Sequence, residues 1–210
     1  MAWTYEQKFN DLNNGDLNGQ DSWSAHLAFD VETSVKYEGA KALSFLLASE
    51  NEYANRNIDA ISQGIVYVAL MNDGIVSGNW AAFRLRTGTT RCISVGLKAT
   101  SSSGGHISDN NDNNMGPISE GWTYLKGQWY VLAVEFDDSA QPDKFRLKFH
   151  DGVAWSAWSA WKNCNNSYVT LDNILLEGYV ADGAHYVYFD SISPNDPTPV
   201  LANPNFLMLM

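Results

Sequence analysis

From Trp129 to Asp137 the chain alternates: Tyr130, Leu132, Val134 and Phe136 point one way, Glu135 and Asp137 the other. A repeat of two is what a strand buried on one face requires. It returns in Lys144–His150, where Phe145, Leu147 and Phe149 fall inward and Lys144, Arg146, Lys148 and His150 outward. The stretch between them, Asp138 to Asp143, contains Pro142 and suits an antiparallel hairpin connection. Such a hairpin sets Glu135 and Asp137 near Lys144, Arg146 or Lys148, each cross-strand pair being worth about 0.2–1 kcal/mol. The outer face is then either a solvated, charge-paired surface or a polar ligand-binding one.

No window of a dozen residues keeps a helical period, so the expected fold class is all-β, an antiparallel two-sheet β-sandwich. Further strands are expected over Phe29–Val35, Ala42–Ala48, Gly64–Met71, Ala81–Thr87, Arg91–Lys98, Ile174–Tyr179 and His185–Ile192. Turn signals such as Asn14-Gly15, Asp73-Gly74, Asp151-Gly152 and Asp182-Gly183 separate them. Ile65–Val68 and Tyr186–Phe189 are apolar on both faces and should lie centrally. Ser101–Asn114 is polar and glycine-rich, which reads as a long exposed loop or a loosely held edge.

With 210 residues the chain can bury a substantial core. Its net charge of -11 repels phosphate backbones and anionic membrane surfaces, so neither nucleic acid nor membrane insertion is expected. The opening MAWTYEQKFND lacks a basic region followed by an apolar one, and no stretch approaches the ~20 apolar residues of a membrane span. A soluble protein without a signal peptide is the expectation. Cys92 and Cys164 lie far apart outside any CxxC pattern, leaving a single disulfide open.

After Ser193 four prolines interrupt the chain before a terminal FLMLM. The expected division is therefore a sandwich domain over 1–193 and a proline-rich tail over 194–210. Phe206, Leu207, Met208, Leu209 and Met210 would form a sticky patch in water, so they should dock, either on a neighbouring subunit as an assembly anchor or on their own domain.

Trp155, Trp158 and Trp161 recur every third residue in DGVAWSAWSAWKNC. On an extended strand Trp155 and Trp161 would share a face and Trp158 would take the other. At least one ring is then expected in the core and another is available as a platform for a sugar.

Residues 5–193 resemble a concanavalin A-like jelly roll of the lectin, glucanase and laminin-G type. The likeness is carried by FNDLNNGDLNGQDSW (Phe9–Trp23), LKGQWYVLAVEFD (Leu125–Asp137) and HYVYFDSIS (His185–Ser193). Glucanases of that fold carry a Glu-x-Asp-x-x-Glu strand. Here Glu135-Phe136-Asp137 is followed by Ala140 where the third carboxylate would stand. The lyase patterns are incomplete as well, since Arg84-Leu85-Arg86 has no Glu between its arginines and Gln63-Gly64-Ile65 lacks the His. No nucleophile elbow, phosphate loop or dinucleotide pattern occurs, and no catalytic residue and no cofactor is assigned.

One metal is implied by the resemblance, a structural calcium between the last strand and the N-terminus, with Asp190, Asn10 and Asp11 as its ligands. The competing reading is that Asp190 hydrogen-bonds backbone at a strand end. Taken alone, WSAWSAW also resembles the tryptophan ladder of thrombospondin type 1 repeats. That family interleaves its tryptophans with arginines, whereas no arginine lies between 147 and 210 here.

The leading expectation is a non-catalytic, lectin-like adhesion module that binds a glycan or cell-surface polysaccharide. Trp155, Trp158, Trp161, Arg84 and Arg86 are its candidate ligand-binding residues. The rival is a structural assembly protein without glycan binding, a capsid or fibre component that self-associates or docks on another structural protein through its tail; a virion surface or decoration protein is compatible with either reading. A polysaccharide lyase or glycoside hydrolase comes third.

Overall fold

The computed structural model describes residues 3–26, 28–46, 52–74, 78–109, 117–137, 139, 143–179 and 186–197. These form two antiparallel sheets. The eight-stranded sheet runs in the order β1 (Gly15–Asp16), β3 (Phe29–Glu32), β4 (Ala42–Leu46), β15 (Tyr186–Ser193), β6 (Gln63–Asn72), β11 (Trp129–Asp137), β12 (Lys144–His150) and β13 (Lys162–Asn163). The seven-stranded sheet runs β10 (Thr123–Leu125), β9 (Gly104–Asp109), β8 (Thr90–Ser101), β7 (Trp80–Thr87), β14 (Leu171–Tyr179), β5 (Glu52–Ile61) and β2 (Ser24–Ala25). The all-β sandwich expected from the sequence is the observed fold.

The alternation does its work in β11, where Leu132, Val134 and Phe136 are buried between the sheets and Glu135 and Asp137 look out. Register aligns Glu135 with Arg146 and Asp137 with Lys144, as the hairpin reading required. β6 and β15, apolar on both faces, are central neighbours in the larger sheet. Facing rings such as Phe29 and Phe45, stacked at 4.3 Å, fill the space between sheets.

Three expectations about strands are corrected. Ser101–Asn114 is not one loop, because β9 within it pairs with β8 and β10 and buries Ile107 and Ser108. Its glycines serve close packing: a Cβ on Gly105 would lie 1.9 Å from the Lys98 carbonyl oxygen across the strand pair. Residues 110–114 lie outside the described residues. β5, ten residues long, went unrecognised because Asn55, Arg56, Asn57 and Asp59 obscure any apolar alternation. β3 stops at Glu32, whose carboxylate accepts the N–H groups of Ser34 and Val35 and turns the chain.

Cys92 and Cys164 are both free thiols. Burial pushes the Cys164 thiol up to about 12, which suppresses its reactivity. Among the described residues no helix is long and apolar enough to cross a membrane. The tail residues Phe206–Met210 lie outside the described residues, as does His185 at the expected start of β15.

Candidate ligand-binding face

The tryptophan segment follows β12 directly and lies along it. Asp151 accepts the N–H groups of Val153 and Ala154, both at 2.9 Å, and so reverses the chain. From there the contacts repeat every third residue. Ser156 donates its N–H to the Phe149 carbonyl at 2.8 Å, and its hydroxyl accepts the Phe149 N–H at 3.0 Å. Ser159 makes the same pair of bonds with Leu147, at 2.8 and 3.1 Å. Lys162 then pairs with Phe145 as β13. Three residues of the segment thus advance along two of the strand.

The serine hydroxyl explains the period. It stands in for a backbone acceptor toward β12 while donating to the next carbonyl, of Ala157 and of Ala160, at 2.9 Å in both cases. Each Trp-Ser-Ala triplet therefore returns to the same orientation. All three indoles stand on the outer face of the eight-stranded sheet, which corrects the expectation that Trp158 would oppose the other two. None is buried in the core: Trp155 and Trp158 are half-buried and Trp161 is 43% exposed.

The outward cations of β12 fill the gaps between the rings. Lys148 lies 4.3 Å from the Trp155 ring and 5.0 Å from that of Trp158, while Arg146 lies 4.8 Å from Trp158 and 4.7 Å from Trp161. The order Trp155, Lys148, Trp158, Arg146, Trp161 is an alternating stack of cation–π contacts. Interleaving needs no arginine after residue 147, because the preceding strand supplies the cations. Arg146 is also paired with Glu135 at 2.6 Å. His150 points outward as expected but is covered by Trp155, 5.3 Å away, and is only 5% exposed.

The same face continues inward over Ala69, Val131 and Ala133, small side chains against which Tyr37, Trp129, Trp155 and Trp158 pack. Trp129 meets Tyr37 at 5.9 Å and Tyr188 at 6.2 Å, and Tyr67 meets Trp155 edge-on at 5.9 Å. Burial pushes the Tyr37 and Tyr188 hydroxyls up to about 12, which keeps them neutral hydrogen-bonding groups at ordinary pH. Four of the eight tryptophans in the chain share this face. Tyr37, Tyr67, Trp129, Arg146 and Lys148 were not singled out from sequence as ligand-binding residues. The alternating cations immediately before the tryptophans were the signal that pointed to two of them.

Arg84 and Arg86 lie on the other sheet, apart from the tryptophans. Arg84 is fully buried, 2.9 Å from Glu177, which also binds Arg91 at 3.0 Å. Arg86 is half-buried and donates to Asn173, whose amide in turn donates to Asn57 at 2.8 Å. Arg84 is thus sealed into a structural ion cluster, while Arg86 and Arg91 are partly exposed.

Two of the residues proposed for calcium spend their oxygens on backbone donors. Asp190 accepts the N–H groups of Tyr37, Glu38 and Ser191 at 2.7–3.1 Å, and Asn10 accepts those of Ala40 and Lys41 at 2.7 and 3.1 Å. Their oxygens are turned toward donors and grip successive parts of one loop, a set that does not fit a cation. Burial outweighs the three donors and pushes the Asp190 carboxyl up to about 7. Asp11 instead lines a cavity of about 790 Å³ with Asn10, Gln20 and Asp21, remote in sequence from the tryptophan ladder. Among the described residues no group of three His, Cys, Asp or Glu side chains could hold a metal ion.

No family model matches the sequence, and no curated protein matches it. Solved structures are similar in fold. A sialidase superposes with a TM-score of 0.65 at 10% identity over 90% of this chain, which spans only 18% of that protein. A Bacteroides ovatus mixed linkage glucan GH16 protein in complex with a G4G4G3G product gives 0.59 at 9% identity, covering 90% of this chain and 98% of that one. Lectin I-B4 from Griffonia simplicifolia, in metal-free form, gives 0.53 at 12% identity with the same coverage of 90% and 98%. At such identities the likeness is one of fold, and it is the concanavalin A-like jelly roll expected from the sequence.

Proposed function

We propose that the protein is a non-catalytic, glycan-binding module whose ligand lies on the tryptophan face. The observation that carries this reading is the common orientation of Trp155, Trp158 and Trp161, three indoles held upright by interleaved cations with the outermost 43% exposed. A rigid exposed ring at the end of the row, Trp161, offers a sugar an apolar platform at little entropic cost, and the neutral hydroxyls of Tyr37 and Tyr188 can orient its polar groups. The fold it shares with a lectin and with a protein bound to an oligosaccharide supports the same ligand class. Binding without catalysis is supported at the tryptophan face, where the carboxylate of Glu135 is held by Arg146. A retaining or inverting glycosidase needs two carboxyls flanking one bond, free to exchange protons.

Glycan-array screening followed by titration of the bound glycan tests the reading. Trp161→Ala should abolish or sharply weaken binding while lowering the melting temperature by only about 2–4 °C. Equal affinity of this variant and the wild type would refute it. The rival role at a virion surface, with self-association through Phe206–Met210, rests on the apolar composition of those residues alone. Mass measurement with and without residues 194–210 tests it.

A further inference from the structure

The outer face of β12 carries Lys144, Arg146 and Lys148 at alternate positions, a concentration of positive charge in a chain of net charge -11. Two of the three face a carboxylate across the strand pair, Asp137 opposite Lys144 and Glu135 opposite Arg146. Lys148 faces Ala133, and the row beyond continues to Tyr67, a neutral phenol. Among the described residues no carboxylate lies within ion-pairing distance of Lys148, whose ammonium is half-buried between Trp155 and Trp158. A quadrupole attracts such a cation but does not neutralise it, so its charge remains available to an anion arriving at the open side of the row, between the ring edges.

Building on the glycan-binding reading, we propose that the ligand is an acidic glycan, a sugar bearing a carboxylate or a sulfate, with its ring on the tryptophans and its anionic group on Lys148. The two groups needed lie in one row. Trp161, 43% exposed, presents the stacking surface, and the Lys148 ammonium lies beyond Arg146 and Trp158 in the same row, 5.0 Å from the Trp158 ring, so the ligand is an oligosaccharide longer than one sugar residue. The overall negative charge does not forbid this, since charges more than about 8 Å away are largely screened at physiological ionic strength. It does predict that selectivity comes from this one position, and not from a general attraction of polyanions.

The test uses matched pairs that differ only in charge: an oligogalacturonate against its methyl ester, and a sulfated oligosaccharide against its desulfated form. Titration calorimetry should show wild-type protein binding the charged member of at least one pair tenfold or more tightly. Which pair responds identifies the anionic group. Lys148→Gln should erase that difference, lowering the affinity for the charged member to that for the neutral one, and Lys148→Arg should restore it. Equal wild-type affinity within both pairs overturns the proposal while leaving the glycan-binding reading intact. So does undiminished discrimination in Lys148→Gln. Failure to bind every glycan, charged or neutral, overturns both. Melting curves of both variants separate this role from a purely structural one: a glue residue would lower stability and the affinity for both members alike.

Discussion

Removing the middle ring of the ladder should cost more stability than removing the exposed end ring, although the three are chemically identical and come from one repeat. Trp158 touches two cations, Arg146 at 4.8 Å and Lys148 at 5.0 Å, whereas among the described residues Arg146 is the one cation that Trp161 touches. At about 0.5–1 kcal/mol for each partly exposed cation–π contact, Trp158→Ala forfeits about 1–2 kcal/mol from this source and Trp161→Ala about half as much. Trp158 also packs over Ala69, Val131 and Ala133, and loss of a half-buried indole adds roughly 1–2 kcal/mol, less than the 3–5 of a full core truncation. The totals are about 3 kcal/mol for Trp158→Ala and about 1 for Trp161→Ala. At about 2–4 °C per kcal/mol for a domain of this size, the melting temperature should fall by about 6–12 °C and 2–4 °C respectively. Scanning calorimetry at pH 7, with urea unfolding to confirm equal m-values, measures both. If Trp161→Ala destabilises as much as Trp158→Ala, the stacked arrangement is wrong. The function predicts the opposite order for ligand: Trp161→Ala should lose binding at small cost in stability.

Three other outcomes follow from the packing. Glu177→Leu strands the fully buried Arg84 without its carboxylate and should cost about 3–5 kcal/mol in urea unfolding, whereas Arg84→Met/Glu177→Leu should recover much of that; a double variant no more stable than the single would count against a desolvated pair. A Cβ on Gly96 would sit 2.0 Å from the Ala81 carbonyl oxygen of the neighbouring strand, so Gly96→Ala should lose about 3 kcal/mol or more, and a variant melting within 2 °C of wild type would contradict the close approach. The Asp190 carboxyl is raised to about 7 by burial, so the native state keeps a proton there that the unfolded chain has already lost above its ordinary value near 4. That contribution to stability is complete below about pH 4 and is lost as pH rises to 7. Relative to Asp190→Asn, wild-type stability should therefore fall across this window by on the order of 3–4 kcal/mol, and parallel pH profiles of the two proteins would rule it out.

Much of the sandwich was legible in the sequence because burial on one face imposes a period of two, which β11 keeps over Val134–Asp137 and β12 over Lys144–Lys148. Where both faces are covered, as in β6 and β15, the unbroken apolar run marks a central strand. β5 and β9 escaped notice for opposite reasons. In the first, polar side chains along the strand hide the pattern, and in the second, glycines chosen for close strand contact imitate a loop.

The candidate site divides in the same way. The residue types were visible, a spacing of three tryptophans and a pair of arginines, but their directions were not. Arg84 and Arg86 looked equivalent at positions i and i+2, yet the Glu177 carboxylate from β14 seals one of them and leaves the other partly exposed. By itself the sequence determined that strands form, which faces are apolar, and that indoles and cations lie close along the chain, because these depend on local periodicity. Only the tertiary structure decided that a period of three can keep one face. The outcome depends on the partner strand: hydroxyls of Ser156 and Ser159 substitute for backbone acceptors against β12, the segment contracts to match it, and all three rings come to stand above Arg146 and Lys148.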